Sequence, residues 1–409
     1  MFFIYNTIVI LASQLIKLVA VFIPKIQLFV EGRKTVLETL SSEIKATDQT
    51  IWFHAASLGE FEQGLPVMEE VKAKYPNHKI VVTFFSPSGY EVRKHNSVAD
   101  ITVYLPLDTS FNARKFVQIV HPSMAFFIKY EYWPNYLNEL KKRQIPTYLI
   151  SGIFRENQLF FKWYGGFYRN ALKNFTFFFV QNEASQKLLK SIGFNNVKIS
   201  GDTRFDRVSK ILSRDNSLDF ATQFKKESLM VVIGSSWPKD EIQLVDFINK
   251  TTATVKFIIA PHNIKKEQIE QLQKSLSKRV LLFSEKENKD ISSYEVLIMD
   301  TIGLLTKTYS YADIAYVGGG FGTSGLHNIL EPATFGIPII IGPNYTKFSE
   351  AIALVNMSGC IAVKDKAALE ETLTFLIQNE DERFEKGHIC STFVQMNKGA
   401  TEVIMKHLQ

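Results

Sequence analysis

Residues 313–344 read DIAYVGGGFGTSGLHNILEPATFGIPIIIGPN, and this stretch predicts the fold class. An apolar run ends in a cluster of glycines, polar residues follow, and a second apolar run closes the unit at Pro338–Ile341. This is the layout of an α/β nucleotide site, because glycines let backbone approach a ligand and a helix N-terminus offers free N–H groups to a phosphate. Asn328 and Glu331 would share a helical face, where they could hold a ribose or a sugar. The alternative is an ordinary helix N-terminus with a glutamate in its first turns.

Two common nucleotide motifs do not describe this loop. Gly320, Gly322 and Gly325 have the G-x-G-x-x-G spacing after a strand, but they lie late in the chain rather than in a first βαβ unit. We therefore do not interpret them as a dinucleotide fingerprint. No G-K-[ST] follows, so the loop is not a P-loop.

Length and composition predict a globular protein of two or three domains, because the chain has 409 residues with 46% hydrophobic and 22% charged residues. The net charge of +6 suits an anionic membrane surface or anionic substrates and does not by itself argue for nucleic acid. Cys360 and Cys390 are the only cysteines and form no C-x-x-C motif. The sequence thus favours a reducing compartment and no structural zinc.

Residues 2–23 are mostly apolar and are followed by Pro24 and Lys25. No basic segment precedes them and no small-residue cleavage site follows, so a removed signal peptide is not expected. The polar residues fall on one side of a helical wheel: Asn6, Ser13, Gln14 and Lys17. This narrow stripe favours a helix that lies in the membrane interface or dips into a single leaflet. A full span would bury Lys17 at a cost of about 2.5–3.5 kcal/mol, and a core or dimer-forming helix is a further alternative.

The basic residues that follow, Lys25, Arg33 and Lys34, would keep the body of the protein cytoplasmic. Segment 160–169, FFKWYGGFYR, is aromatic and basic and could add a second membrane or acyl-chain contact. An amphipathic core helix is the alternative for this segment.

Beyond residue 50 the chain alternates apolar runs with amphipathic segments, which predicts parallel sheets covered on both faces. The predicted strands are Ile51–Ala55, Ile80–Phe85, Ala125–Ile128, Pro146–Ile150, Phe177–Val180, Leu229–Ile233, Val255–Ala260, Val280–Phe283, Val296–Met299, Ile314–Val317 and Ile337–Ile341. We expect two doubly wound, Rossmann-like domains with a cleft between them. The expected divisions are a membrane-associated helix (1–30), a first domain (31–208), a polar linker (209–226), a second domain (227–380) and a C-terminal helix that could pack across both (381–409).

The first strand carries a second signal, IWFHAASLGEFEQG at residues 51–64. Ser57 is a candidate N-cap and would place Glu60 at the third helical position, so a capping box is one explanation of this glutamate. The functional explanation is a general base at the carboxyl end of a strand, facing the cleft. A helix N-terminus lowers the pKa of a carboxyl group, which weakens a base unless burial compensates.

The chain resembles the 3-deoxy-D-manno-octulosonic acid (Kdo) transferase family of lipopolysaccharide synthesis, and the resemblance covers nearly the whole chain. It rests on HAASLGE at 54–60, KYEYWPN at 129–135, SGDTRFD at 200–206, GSSWPKDE at 234–241, APHN at 260–263 and HNILEP at 327–332. It implies a GT-B fold, no metal and no cofactor. It also implies CMP-Kdo as donor, a lipid A precursor as acceptor and inversion at the anomeric centre.

The resemblance also implies roles for particular residues. Glu60 matches the proposed base for the acceptor glucosamine 6-hydroxyl, while Glu131 and Arg204 match positions thought to stabilise the transition state. An arginine suits this site because the leaving phosphate and the Kdo carboxylate are both anions. Arg204 could instead pair with Asp202 or Asp206, and Glu131 could simply be an acid at a helix start.

On the donor side, the implied contacts are Ser235, Ser236, Pro261, His262, Ile302, Gly303, Leu304, Asn328, Ile329, Leu330 and Glu331. Two positions depart from the family pattern. His262 stands where an arginine is usual, and Leu304 stands where an acidic residue is usual. A neutral imidazole supplies fewer donors than a guanidinium, so donor affinity is affected more than donor identity. Alternatively, His262 simply caps a helix.

We therefore expect an inverting glycosyltransferase on the cytoplasmic face of the inner membrane, anchored through its N-terminal helix. One alternative is another GT-B transferase with a different nucleotide-sugar donor. Another is a non-catalytic lipopolysaccharide-assembly protein. The number of Kdo residues added, the acylation and phosphorylation of the acceptor, and the oligomeric state stay open.

Overall fold

The computed structural model describes residues 1–323 and 325–408, so Ser324 in the glycine loop and Gln409 at the end of the predicted segment 381–409 lie outside it. The chain divides into two compact units. The first consists of residues 1–207 and 398–409, and the second of residues 208–397. Each unit is built on its own parallel sheet.

The first unit has a sheet of seven parallel strands in the order β3-β2-β1-β4-β5-β6-β7. The strands are β1 (Gln49–Ala55), β2 (His78–Phe84), β3 (Ile101–Tyr104), β4 (Pro122–Ile128), β5 (Thr147–Gly152), β6 (Phe177–Val180) and β7 (Val197–Ile199). The strand order reverses between β1 and β4. Ligands of open α/β sheets bind outside the carboxyl ends of the strands at such a reversal, so this edge is the expected site.

The first sheet is covered on both faces, as its nearly continuous apolar strands predict. Successive side chains of β1 enter opposite layers: Phe53 stacks on Phe126 with ring centroids 4.5 Å apart, and Trp52 meets Phe127 on the other face at 5.1 Å. All four side chains have no exposed surface. The helices that begin in this part of the chain are α1 (Phe2–Val19), α2 (Pro24–Glu31), α3 (Val36–Glu43), α4 (Leu58–Lys74), α5 (Pro87–Arg93), α6 (Ser110–Val120), α7 (Pro134–Lys142), α8 (Gly166–Leu172), α9 (Glu183–Ser191) and α10 (Thr203–Ser209), with a short 3₁₀ helix at Leu159–Phe161.

The second unit repeats this plan with a different strand order, β10-β11-β9-β8-β12-β13-β14, again all parallel. Its strands are β8 (Leu229–Ser236), β9 (Val255–Pro261), β10 (Val280–Leu282), β11 (Val296–Ile298), β12 (Ile314–Val317), β13 (Ile339–Ile341) and β14 (Cys360–Ala362). Its helices are α11 (Asp219–Lys225), α12 (Pro238–Lys250), α13 (Lys266–Ser275), α14 (Leu305–Thr308), α15 (Leu330–Thr334), α16 (Ser349–Asn356), α17 (Lys366–Gln378) and α18 (Glu380–Asn397). Short 3₁₀ helices lie at Lys210–Ser213, Phe283–Glu285, Ile291–Ser293 and Tyr309–Tyr311. The reversal of strand order falls between β8 and β12.

Every predicted strand overlaps an observed one, but β3, β7 and β14 are additional strands that the apolar pattern does not predict. Each of the three lies at an edge of its sheet and has three or four residues. Such short edge strands carry too little apolar pattern to be recognised.

The predicted linker over residues 209–226 contains α11, whose Phe220 and Phe224 are buried in the core of the second unit. The whole segment therefore lies in the second unit, and its second half contributes to the core of that unit. Its helix has seven residues, and the polar residues between its two buried phenylalanines hide the short apolar face.

The predicted C-terminal helix is two helices, α18 and α19 (Ala400–His407), separated at Gly399, whose φ is +110°. Helix α18 packs on α15 of the second unit, and α19 packs on α4 of the first. Ile404 of α19 has no exposed surface and belongs to the core beside Phe179. The last helix therefore completes the first unit.

Candidate functional site

Glu60 lies in the first turn of α4, directly after the carboxyl end of β1. Ser57 is the N-cap residue of α4, as the sequence predicts, but its side chain makes no capping hydrogen bond. The Ser57 hydroxyl donates instead to Oε2 of Glu60. The capping-box explanation of Glu60 is therefore wrong, because the serine oxygen is turned to the carboxylate and away from the helix N–H groups.

Glu131 lies after β4, the strand beside β1 at the reversal of strand order. Its Oε2 atom accepts a hydrogen bond from Nε1 of Trp133 at 2.7 Å and lies 3.0 Å from Nε2 of His54. The side chain is 11% exposed, whereas His54 has no exposed surface. Helix α7 begins at Pro134 and has no acid in its first turn, so Glu131 is not the helix-start acid of the alternative explanation.

The charges of Glu60 and Arg204 act on the hydroxyl of Tyr130, which is the residue directly before Glu131. Burial raises the pKa of its hydroxyl; Arg155 and Arg204 oppose the rise, and Glu60 adds to it. The guanidinium carbon of Arg155 lies 5.5 Å from the centre of the Tyr130 ring. Glu60 and Arg204 are thus both close enough to this hydroxyl to act on it electrostatically, and Tyr130 is the residue before Glu131.

Arg204 is held by Asp202. Its Nε donates to Oδ2 of Asp202 at 2.9 Å, its Nη2 lies 2.8 Å from the same oxygen, and its backbone N–H donates to Oδ1. Asp206, the other partner considered for this arginine, accepts hydrogen bonds from the backbone N–H and the hydroxyl of Thr401 in α19. The two aspartates of the SGDTRFD motif therefore differ in function: Asp202 orients the arginine, and Asp206 anchors the last helix.

A cavity of about 810 Å³ in the first unit is lined by Glu131 and by aromatic side chains. Tyr5 of α1 forms part of its wall, and its hydroxyl donates to Oδ2 of Asp108 at 2.8 Å. The remaining lining residues include Phe85, Tyr130, Trp133, Arg155, Phe160 and Tyr168. A largely aromatic cavity with a few polar groups is typical of a binding site for a small organic molecule.

One part of the aromatic segment 160–169 is buried in the core, and another part is exposed and could contact a membrane. Phe160 is buried in the core, whereas Trp163 is 90% exposed and Tyr164 is 57% exposed. Arg169 donates through Nη1 to the carbonyls of Phe160 and Lys162, so it fixes the loop. Only the tip of this segment is therefore available for a membrane contact.

In the second unit, the loops after β8 and β12 meet closely. Ser235, at the end of β8, has a φ of +53°, a conformation that non-glycine residues rarely adopt and that often marks functional sites. A Cβ atom on Gly318 would lie 2.3 Å from the carbonyl oxygen of Ser235, so only glycine permits this approach. The buried carboxylate of Asp240 accepts from the N–H of Gly319 at 2.9 Å and from the hydroxyl of Tyr316 at 2.8 Å, which fixes the glycine loop.

A cavity of about 260 Å³ lies beside these loops. It brings together four of the predicted donor-side residues, Ser235, Gly303, Asn328 and Glu331, together with Thr306 and His327. The amide of Asn328 donates to Oε1 of Glu331 at 3.1 Å, and the hydroxyl of Thr306 donates to Oε2 at 2.7 Å. The two side chains therefore meet as predicted, but they do not share a helical face, because α15 begins at Leu330 and Asn328 precedes it.

Several predicted donor-side residues are placed differently. Ile329 and Leu330 are buried in the core, so their side chains are directed away from any ligand. The hydroxyl of Ser236 is buried and donates to Glu241 at 2.8 Å. The remaining predicted residues lie outside the lining of the 260 Å³ cavity: Pro261, His262, Ile302 and Leu304, of which Ile302 is 82% exposed.

His262 belongs to a stack of three rings. Its imidazole lies parallel to the indole of Trp237, with ring centres 4.4 Å apart, and 4.5 Å from the imidazole of His327. The indole N–H of Trp237 donates to Nε2 of His327 at 3.0 Å. His262 does not cap a helix, because α13 begins after Lys265.

Both imidazoles of this stack are held in the neutral form. Burial lowers the pKa of His262. The pKa of His327 is lowered to about 4 by burial and by the neighbouring His262, while Asp240 opposes the shift. At neutral pH the pair therefore offers uncharged donors and acceptors rather than positive charge.

Sequence reasoning missed His54, Tyr130, Trp237, Thr306 and His327 as parts of the two sites. Four of them stand inside quoted motifs next to predicted residues, so the motifs contained the signal. Thr306 lies in no motif, and only the fold brings it to Glu331.

Two further observations concern metals and membranes. Among residues 1–323 and 325–408, no group of three or more His, Cys, Asp or Glu side chains could hold a metal ion. Helix α1 is long and apolar enough to cross a membrane, with a mean hydropathy of 1.8, and none of its residues is buried.

A family model described as 3-deoxy-D-manno-octulosonic-acid transferase matches residues 32–207. A relative of that name from Chlamydophila psittaci is 29% identical over 83% of this chain and 80% of its own, and others are 26–28% identical. The UDP-GlcNAc 2-epimerase of Neisseria meningitidis superposes with a TM-score of 0.62 at 16% identity, covering 88% of this chain and 99% of its own. Acinetobacter baumannii MurG superposes with a TM-score of 0.55 at 11% identity, covering 87% and 98%. Both structures support the predicted GT-B fold.

Proposed function

Because this chain belongs to the 3-deoxy-D-manno-octulosonic acid transferase family, we propose that it moves Kdo from CMP-Kdo to the glucosamine 6-hydroxyl of a lipid A precursor. The observation that carries the proposal is the position of Glu60 and Glu131. They follow β1 and β4, the two strands beside the reversal of order in the first sheet, where α/β sheets bind their ligands.

In the proposed reaction, Glu60 removes the proton from the acceptor hydroxyl. The hydroxyl oxygen then bonds to the anomeric carbon of Kdo while the bond from that carbon to the phosphate oxygen of CMP breaks. A single displacement of this kind inverts the configuration at the anomeric carbon. The Ser57 hydroxyl, which donates to Oε2, orients the carboxylate and leaves Oε1 for the acceptor.

Arg204 and Glu131, the other two predicted catalytic residues, would stabilise charge at the reacting centre. Arg204 is oriented by Asp202 and supplies a planar, permanently charged donor for the phosphate or the Kdo carboxylate. Glu131 would stabilise the positive charge that develops on the sugar ring as the leaving group departs. The resemblance implies that no metal takes part, and activity in excess EDTA is the corresponding test.

CMP-Kdo is proposed to bind the second unit, at the 260 Å³ cavity beside the glycine loop. Its Asn328–Glu331 pair suits the hydroxyl groups of a ribose or a sugar. The N–H groups of Gly318 and Gly319 already donate to the carbonyl of Gly234 and to Asp240. An anion would use other N–H groups of the glycine loop, because glycines allow close approach.

The acceptor is proposed to bind the 810 Å³ cavity of the first unit. Tyr5 of α1 lines that cavity, and α1 exposes large apolar side chains such as Phe3 and Leu11. A lipid acceptor cannot leave the bilayer, so a binding cavity next to an apolar, exposed helix is the expected arrangement. We propose that α1 and the exposed Trp163 hold the enzyme at the cytoplasmic face of the inner membrane. Arg33 is not one of the surface charges in this contact, because its guanidinium donates to the carbonyls of Phe29, Phe85 and Leu105.

The test is a reaction of the purified protein with freshly generated CMP-Kdo and a tetraacylated lipid A precursor, followed by mass spectrometry of the lipid. A mass increase of one or more Kdo residues supports the proposal and counts the additions. Glu60→Gln should abolish the increase while CMP binding, measured by calorimetry, is retained. Glu70→Gln, an exposed position in the same helix, is the matched control and should keep wild-type turnover.

Absence of product with intact CMP-Kdo and folded protein would contradict the proposal. Testing UDP-sugars in the same assay would then identify a transferase with a different donor. A protein that binds the lipid but transfers no sugar would point to the non-catalytic alternative.

A further inference from the structure

The buried imidazole of His54 contacts Glu131, and the proposed mechanism does not use it. We propose that His54 is a positioning residue, which holds Glu131 in place by donating a hydrogen bond from Nε2 to the carboxylate. The kinetic part of this inference rests on the proposed function.

The position of the proton follows from the groups that surround the ring. Oε2 of Glu131 lies 3.0 Å from Nε2 of His54, and an ionised carboxylate can only accept hydrogen bonds. We therefore place the ring proton on Nε2. Trp133 donates to the same oxygen at 2.7 Å. The indole N–H of Trp133 also points at Nε2 of His54, with 3.0 Å between the two nitrogens, and it would donate to that nitrogen if Nε2 carried no proton.

The opposite edge of the imidazole is anchored to the neighbouring strand. Thr83 is the partner of His54 in the β1–β2 ladder, and its Oγ1 lies 2.9 Å from Nδ1. The same Oγ1 accepts the indole N–H of Trp52 at 2.8 Å. Its own hydrogen has two acceptors within reach, the carbonyl of Phe53 at 3.4 Å and Nδ1 of His54 at 2.9 Å, and the shorter contact is the one to Nδ1. The reverse assignment would direct an Nδ1–H at the carbonyl oxygen of Thr83, 3.2 Å away. Nε2 would then accept the indole N–H of Trp133, but its lone pair would also face the carboxylate of Glu131 at 3.0 Å.

This arrangement leaves one carboxylate oxygen for the substrate. Both donors use Oε2, and Oε1 of Glu131 has no hydrogen-bond partner among the residues that the structure describes. Glu131 lines the 810 Å³ cavity, whereas His54 is fully buried behind it and does not. His54 therefore acts through Glu131, and its effect on the reaction should be one of orientation.

The kinetic test compares His54→Leu, His54→Gln, Glu131→Gln and the double variant His54→Leu/Glu131→Gln. His54→Leu should lower kcat by up to about 100-fold, the cost of displacing a catalytic group by about 1 Å. KM for CMP-Kdo should stay within twofold. His54→Gln keeps an N–H donor and should recover part of the loss. The double variant should be no slower than Glu131→Gln alone, because both changes remove the same contribution. His95→Gln, at an exposed position in the first unit, is the matched control.

A second measurement does not depend on activity. Nitrogen-15 spectra of histidine-labelled full-length protein in detergent report which ring nitrogen carries the proton, and the His54 signal is identified by its loss in His54→Gln. A protonated Nε2 that shifts in Glu131→Gln is the expected result, and a His54 proton found only on Nδ1 overturns the inference. If Glu131→Gln is slow but His54→Leu is folded and fully active, the positioning role is also wrong. If the wild-type protein transfers no Kdo, the proposed function fails, and the spectra alone decide whether His54 holds Glu131.

Discussion

Tyr5 of α1 and Asp108 of the first unit are joined by a 2.8 Å hydrogen bond from the phenol to Oδ2. The same carboxylate accepts the backbone N–H groups of Asn135 and Tyr136 at the start of α7. Burial raises the pKa of Asp108 to about 6, against the lowering effect of these hydrogen bonds. One buried carboxylate thus fixes both the apolar helix and the helix that follows Glu131.

Tyr5→Phe should loosen α1. The substitution removes the donor but keeps the ring, which packs against Phe167 with centres 5.5 Å apart. A hydrogen bond to a charged group contributes about 1.5–3 kcal/mol, so the free energy of unfolding should fall by about that amount. Hydrogen exchange in the first half of α1 should quicken in detergent. Thr7→Ala, which removes only a bond to the carbonyl of Phe3 within the same helix, is the control, and equal exchange in both variants would refute the role of Tyr5.

Gly320→Ala should disrupt the glycine loop. A Cβ atom at this position would lie 2.6 Å from the backbone nitrogen of Gly342, and backbone cannot move aside as the end of a side chain can. We expect the free energy of unfolding to fall by about 1–3 kcal/mol, the usual cost of overpacking, and CMP affinity to weaken. Gly166→Ala is the control, because the nearest atom would be the end of Arg169 at 3.8 Å. Calorimetry and thermal unfolding of both variants measure the difference, and equal behaviour would show that the loop adapts.

Acid should reduce the stability that His327 contributes. Its pKa is lowered to about 4 in the folded protein, and the ordinary value is 6.5. Between these values the unfolded chain binds the proton and the folded chain does not, so this contribution is complete above pH 6.5 and is lost as the pH falls towards 4. Asp108, with its raised pKa, acts in the opposite direction over part of this range. The measurement is therefore the difference in Tm between wild type and His327→Gln, which should shrink from pH 7 to pH 4.5; a constant difference would exclude the effect.

His262→Arg should tighten binding of CMP. The resemblance to the transferase family places an arginine at this position, and a guanidinium can stack on Trp237 as the imidazole does. A hydrogen bond from a charged group contributes about 1.5–3 kcal/mol, so Kd should fall by about tenfold or more. The gain should diminish at high salt. His388→Arg, an exposed position in the same unit, is the control. An unchanged Kd in calorimetry would show that His262 does not contact the nucleotide.

The sequence predicted those parts of the fold and of the candidate sites that depend on residues close together in the chain. Alternating apolar runs indicated the strands, and the loops that end β1, β4, β8 and β12 contain the quoted motifs. The contacts of His54 with Thr83 and Glu131 were not predictable, because they join strands that are distant in the chain.

Side-chain direction was also beyond the sequence. Ile329 and Leu330 lie between the predicted ligands Asn328 and Glu331, yet they are buried in the core. Which residues of a helix start are directed inward depends on where the helix begins. Helix α15 begins at Leu330 and not earlier, and periodicity does not fix such a boundary within two residues.

The return of α19 to the first unit has a consequence for synthesis. The second unit is one continuous stretch, residues 208–397, and can fold as soon as it has left the ribosome. The first unit emerges earlier but lacks Ile404, which fills its core beside Phe179. It also lacks the hydrogen bonds between Thr401 and Asp206. A nascent chain that stalls after Asn397 would therefore expose an unfinished core to chaperones and proteases, although the strands of both sheets had already been made.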